Sequence, residues 1–169
     1  MITETTVNED PLPNPISDPI PTQGRIIGID YGTRRIGVAI SDPGQTIASP
    51  LEIRQSQNRS SDGKWFLKLA AEEQAVGWVI GLPVHMSGDS SKKSREASEF
   101  GSWLGELTDL PVAWQDERYS TSRAKEICEQ LGLRGDKRKT HLDKIAAQVI
   151  LASWLERAVR ETSSEGIED

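Results

Sequence analysis

The sequence predicts an α/β domain with a mixed five-stranded sheet, its elements ordered β-β-β-α-β-α-β-α-α. Three observations carry this expectation. Five short apolar runs rich in Ile, Val and Leu read as buried strands. The first three are joined by turns too short to hold a helix, so they pair as an antiparallel meander. The last two are each reached through a helical stretch, and such crossovers make neighbouring strands parallel and lay helices on the sheet.

The first strand covers 25–30, Arg-Ile-Ile-Gly-Ile-Asp, an apolar run suited to burial on both faces. Tyr31-Gly32-Thr33-Arg34 forms a turn into a second strand over 36–41. Asp42-Pro43-Gly44 is a strong turn signal, and a third strand follows over 46–53. Asp62 can cap a helix that places Trp65, Phe66, Leu69 and Ala70 on one face. The fourth strand occupies 76–82 and ends at Pro83. A loop over 84–91 leads to a helix that runs to about 107, and a fifth strand spans 110–117. Two final helices, over 121–131 and 141–159, are separated by a basic stretch at 132–140 that contains Gly132 and Gly135 and reads as a mobile loop.

With 169 residues the chain has the size of one domain. Residues 1–23 hold Pro11, Pro13, Pro15, Pro19 and Pro21 among polar residues and read as a disordered leader. The domain proper is 24–160, and 161–169 reads as an acidic flexible tail. No apolar run approaches the roughly 18 residues that cross a bilayer, and no basic segment followed by an apolar one marks a secretory signal, so a cytoplasmic location and no membrane partner are expected. The single cysteine, Cys128, lies in a helical apolar pattern and is expected in the core.

A net charge of −6 argues against a nucleic-acid partner only if the charges are evenly spread. They are not. Glu4, Glu9, Asp10 and Asp18 precede the domain with no base, and Glu161, Glu165, Glu168 and Asp169 follow it with none. Setting these eight aside leaves 18 of the 26 acids against all 20 bases, a net +2 over 25–160. Residues 118–144 alone carry eight bases and four acids, so a face that binds a polyanion is expected.

Three acids stand where chemistry is possible. Asp30 ends the first strand, where a carboxylate either caps the turn or holds a cation. Asp116 and Glu117 end the fifth strand on opposite faces, so only one of them can join Asp30. Asp143 shares a helical stripe with Ala146, Ala147 and Ile150, although a first-turn acid also suits the helix dipole. Three carboxylates brought together repel, and a divalent cation relieves the repulsion. Oxygen ligands alone suit Mg²⁺ or Mn²⁺, and a pair of such ions supports phosphodiester hydrolysis. His85 and His141 lack metal-ligand spacing, and Ser87-Gly88-Asp89-Ser90-Ser91 lacks the Gly-Lys-Ser/Thr ending of a phosphate loop.

Four motifs in order resemble one family. They are Gly28-Ile-Asp30-Tyr-Gly32-Thr-Arg34-Arg35-Ile-Gly37-Val-Ala39, Gly81-Leu-Pro83 with Gly88 beyond, Asp116-Glu117-Arg118 followed by Ser120-Thr121, and Lys139 with Asp143, Ala146 and Ala147. Together they resemble the YqgF family, also called RuvX, over about 25–155. The resemblance implies an RNase H-like fold, similarity to RuvC-type Holliday junction resolvases, and a nuclease that processes the 5′ end of pre-16S ribosomal RNA. It implies Asp30, Glu117 and Asp143 as the catalytic, metal-holding acids, and so selects Glu117 over Asp116. The bases expected at the nucleic acid are Arg34, Arg35, Arg118, Lys137, Arg138 and Lys139.

The expected function is therefore a metal-dependent endonuclease acting on structured ribosomal RNA precursor, as a monomer or a homodimer. Resolution of DNA junctions is the alternative within the same chemistry, and would call for two sites in a symmetric dimer. A silent RNA-binding assembly factor is the alternative from another class. Asp30-Tyr-Gly32 also resembles the first phosphate loop of the actin and sugar-kinase superfamily, but a single domain cannot enclose a nucleotide as those two-domain proteins do.

Overall fold

The computed structural model of the chain describes residues 19–83, 88–117 and 120–164, without the side chains of 88–91, 120–123, 143 and 159–164. The order of elements matches the expectation: β1 (Arg25–Asp30), β2 (Arg35–Ser41), β3 (Ala48–Gln55), α1 (Arg59–Glu72), β4 (Ala75–Leu82), α2 (Gly88–Thr108), β5 (Val112–Asp116), α3 (Ser120–Gln130) and α4 (Gly135–Ser164). The strands form one sheet in the order β3-β2-β1-β4-β5. β1 is central, antiparallel to β2 and parallel to β4, and β5 runs parallel to β4. The carboxyl ends of β1, β4 and β5 therefore lie together.

Alternation along the strands divides the core in two. Ile27, Ile29, Ile36, Val38, Trp78, Ile80 and Val112 meet Phe66 and Leu69 of α1 and Phe100 and Leu104 of α2 on one face. Ile26, Ala39 and Val79 meet Ala147, Ile150, Leu151 and Leu155 of α4 on the other. α3 does not reach the sheet core and packs on α4, where Ala124 and buried Cys128 meet Ile145 and Val149.

The direction of α4 follows from its contacts. The chain leaves the carboxyl end of β5 into α3, which among the described residues packs on α4 and not on the sheet, so α4 comes back over the sheet from that end, where Ile150 reaches Gly81 near the end of β4. The helix is thus antiparallel to both strands, and its first turns lie toward their carboxyl ends. It sits close because Gly28 has no side chain: a Cβ there would stand 2.7 Å from Leu151 Cβ and 3.2 Å from the Ala147 carbonyl oxygen.

Local chemistry moved several boundaries. The side chain of Asp42 accepts hydrogen bonds from the Thr46 and Ile47 amides at 2.8 Å, which holds 42–47 as a turn and delays β3 to Ala48. The cap of α1 is Asn58, which accepts from the Ser61 amide, and the helix starts at Arg59. Asp62, expected as the cap, is buried and accepts from Arg54, Ser56 and the Gln57 amide. The basic stretch 132–140 is mostly helix. Gly132, at φ 68°, closes α3, with its own amide bonded to Glu129 O and the Leu133 amide to Cys128 O, both 3.0 Å. α4 then starts at Gly135, so Lys137, Arg138 and Lys139 occupy helical positions.

The leader, placed at 1–23 from the sequence, lies outside the described residues up to 18. Its last part is seated: Ile20 covers Gly77, and the Gln45 side chain donates to Pro21 O at 2.7 Å. The tail, placed from 161, begins within α4, which continues to Ser164. Among the described residues no helix is long and apolar enough to cross a membrane.

Candidate active site

β1 and β5 are separated by β4, so acids at their ends start about two strand spacings, or roughly 9.6 Å, apart. The residue of β4 between them is Gly81. Ile80 pairs with Ile29, Gly81 with Gln115, and Leu82 with Asp116. The Glu117 amide continues the ladder by donating to Leu82 O at 3.0 Å. By alternation Asp30, Gly81 and Glu117 take the α4 face of the sheet, while Asp116 takes the α1–α2 face. The Glu117 carboxyl lies across β4 in the space a Cβ on Gly81 would fill, with Ile150 of α4 closing over it. That passage brings Glu117 to Asp30.

The electrostatics express this proximity. Burial pushes the Glu117 carboxyl up to about 8, aided by the Asp30 charge, by a hydrogen bond between the two side chains, and by the Asp116 charge. In the absence of a cation, protonated Glu117 is the donor and Asp30 the acceptor.

Position 143 lies in α4 one turn before Ala147, which packs over Gly28, while Asp30 lies two residues beyond Gly28 along β1. Because helix and strand are antiparallel, both steps lead to the same end of the sheet, each by roughly 6 Å. The side chain of Asp143 is outside the described residues. The structure thus joins Asp30 and Glu117 directly and puts the backbone of position 143 above them. The buried Glu117 carboxyl, its ionisation opposed by burial and by the charge of Asp30, offers with Asp30 only oxygen donors, a pair suited to a hard divalent cation.

The bases distribute unevenly. Arg35 starts β2, on the α4 face by alternation and beyond the pairing of Asp30 with Gly37; Arg34 is exposed in the preceding turn. Arg118 is outside the described residues. Lys137, Arg138 and Lys139, adjacent in sequence, point three ways because successive helical residues turn by about 100°. Gly81 has no role in the sequence reading beyond its motif. A glycine inside a buried strand signals close approach by another group, and that signal was available.

Comparison with known proteins bears on this arrangement. The family model described as RuvX, Holliday junction resolvase, matches residues 24–157. A Rhodopirellula baltica protein named "Putative pre-16S rRNA nuclease" is 42% identical over 156 residues, covering 92% of this chain and 86% of its own length. A protein of the same name from Maridesulfovibrio salexigens is 37% identical over 134 residues, 79% of this chain and 99% of its own. Among solved structures, T. thermophilus RuvC in complex with a Holliday junction superposes with a TM-score of 0.52 at 16% identity, over 80% of this chain and 96% of RuvC. That likeness shows a shared RNase H-like fold.

Proposed function

The chain belongs to the RuvX family and is a nuclease, and we propose that it hydrolyses phosphodiester bonds in the 5′ region of pre-16S ribosomal RNA with the help of divalent cations. The observation that carries the chemistry is the passage over Gly81, through which Glu117 reaches Asp30. The substrate follows the names of the relatives, which align with nearly the whole domain. The setting is the cytoplasm, where ribosomal RNA is made.

Asp30, Glu117 and Asp143 would hold Mg²⁺ or Mn²⁺. A divalent cation bound there would supply charge neutralisation at the phosphodiester during displacement. The chain's own part is geometric and electrostatic. Asp30 and Glu117 present oxygens from two strand ends on one face, and Ile150 shields the inner side of Glu117 from water. A rigid sheet end holds both acids, which keeps the scissile phosphate in a fixed place while it reacts. In the reaction a water oxygen bonds to phosphorus, the bond from phosphorus to one sugar oxygen breaks, and that oxygen leaves with a proton. Arg34, Arg35 and Arg118 flank the acids in sequence and would neutralise neighbouring phosphates, as would bases of α4.

The test is cleavage of a 5′-extended 16S precursor, beside a Holliday junction and an unstructured RNA, with Mg²⁺ or Mn²⁺ and with chelator. Asp30→Asn keeps the shape and removes a charge, so it should abolish cleavage of the precursor while leaving the thermal melt near that of wild type. Cleavage confined to the junction would move the substrate to DNA. Undiminished cleavage by a folded Asp30→Asn protein would remove the acids from the mechanism.

A further inference from the structure

α4 is longer than the sheet it covers. Its 30 residues span roughly 45 Å, whereas the 6 of β1 span about 20 Å. Contact with the central strand runs from Ala147 toward the C-terminus, so the first turns project past the end of the sheet that carries Asp30 and Glu117. A groove of about 380 Å³ lies along this projection, lined by Leu133, Asp136, Lys137, Thr140, His141 and Lys144. Its volume is at the low end of small-ligand sites, roughly 300–1,000 Å³.

Helical spacing sorts the bases of this region. Lys137, His141 and Lys144 fall at i, i+4 and i+7, with Thr140 between them, on one stripe. Arg138 falls with Leu142, Ile145 and Val149, the stripe that packs against α3, and is half-buried. Lys139 falls with position 143, Ala146 and Ile150, the stripe above the acids. The groove stripe also has a known side relative to the sheet. Gln148, one turn after Lys144, donates from its side chain to Ala48 O of β3 at 3.1 Å, whereas Ile150 leans over β4. The groove therefore opens on the β2–β3 side of the acids, the side on which Arg35 starts β2.

We infer that Lys137 and Lys144, with Thr140 and His141 between them, form a track for the sugar–phosphate backbone on the β2 side of the carboxylates. The inference rests on the nuclease reading above and deepens it by naming which face of α4 the substrate follows. The two ammonium groups supply charge, and the threonine hydroxyl and histidine ring supply directional hydrogen bonds to phosphate oxygens. Asp136 at the far end of the groove opposes a phosphate there and limits the track to the part nearer the acids. Lys139, on the stripe of position 143, is left to the phosphate nearest the reaction. Arg138 is directed to α3 and does not join the track.

The experiment measures binding of the 5′-extended precursor at several salt concentrations, in the full-length Asp30→Asn protein so that no cleavage intervenes. Lys137→Ala with Lys144→Ala is compared with Lys64→Ala and Lys68→Ala, which remove the same charge from α1 on the opposite face of the sheet. Two lost phosphate contacts should reduce the slope of log K against log salt by about 1.4 for single strands or about 1.8 for duplex. The α1 pair should leave the slope unchanged, and Lys137→Arg with Lys144→Arg should restore it. A parent protein that binds neither precursor nor junction would overturn the nuclease reading and the track with it. A parent that binds with a slope indifferent to Lys137 and Lys144, or lowered equally by the α1 pair, would overturn the track alone.

Discussion

The Glu117 carboxyl occupies the space where Gly81 has no side chain, and by this route an acid on β5 reaches across β4 to one on β1. Any side chain at 81 closes the route. In Gly81→Ala the new methyl would meet Glu117 and, at 2.6 Å, Ile150 Cδ1, both of them ends of flexible side chains. The fold should therefore survive with an overpacking cost of roughly 1–3 kcal/mol. Glu117, however, would be turned away from Asp30. Cleavage by Gly81→Ala should fall at least a hundredfold while its melt drops by about 2–12 °C and stays cooperative. Near-normal turnover would show that Glu117 reaches the site by another path.

A second prediction concerns the scaffold under the same end of the sheet. Asp62 of α1 is buried and accepts from Arg54 of β3 at 3.3 Å, from the Ser56 hydroxyl at 2.8 Å and from the Gln57 amide at 3.1 Å. Removing it by Asp62→Ala leaves the Arg54 guanidinium, whose side chain is only 16% exposed, with the Ser61 hydroxyl and the Trp65 ring but without its charge partner. Breaking a buried pair from one side costs roughly 3–5 kcal/mol, and the residual exposure of Arg54 favours the lower end. The melting temperature should fall by about 6–12 °C for a chain of this size. Differential scanning calorimetry checks it, and a change under 2 °C would mean that water replaces Asp62 at little cost.

How much of this was legible beforehand varies with the range of the interaction concerned. Asp30 and the Asp116–Glu117 pair stand out in the sequence as acids at the exits of apolar runs, and alternation allows only one of the pair to join Asp30, because both signals are local. Which one it is depends on which face of β5 meets α4. The passage over Gly81 is not local: it depends on β4 lying between β1 and β5, which no single stretch of residues states. The start of α4 was misread for a different reason. Gly132 and Gly135 look alike in sequence and both take positive φ, 68° and 61°, yet Gly132 follows the end of α3 while Gly135 opens α4. The length of α4, and with it the groove, depends on that distinction. Asn58 and Asp62 could each cap α1 by composition, and only the presence of Arg54 beneath the helix decides between them.

The last prediction follows from the carboxyl pair itself. Glu117 is raised to about 8 from an ordinary 4.5, first by burial and then by the charge of Asp30. Between those two pH values the folded protein binds a proton at Glu117 that the unfolded chain does not. Stability must then fall as pH rises through this window, since the folded state gives up a proton it holds more tightly. The contribution is fully present below about 4.5 and is lost once pH passes about 8. Other groups titrate as well, so the informative quantity is the difference between wild type and Glu117→Gln, which carries no titrating group at 117. Wild type should lose stability relative to the variant from about pH 5 to pH 8 without divalent cation. Mn²⁺ should act in the opposite sense, because it offsets the second negative charge and competes with the proton. It should therefore raise the wild-type melting temperature more at pH 8 than at pH 6, and raise that of Glu117→Gln less at either. Melts at four pH values, each with Mn²⁺ and with chelator, measure both effects. A difference curve flat from pH 5 to pH 8 would place Glu117 in water, away from Asp30.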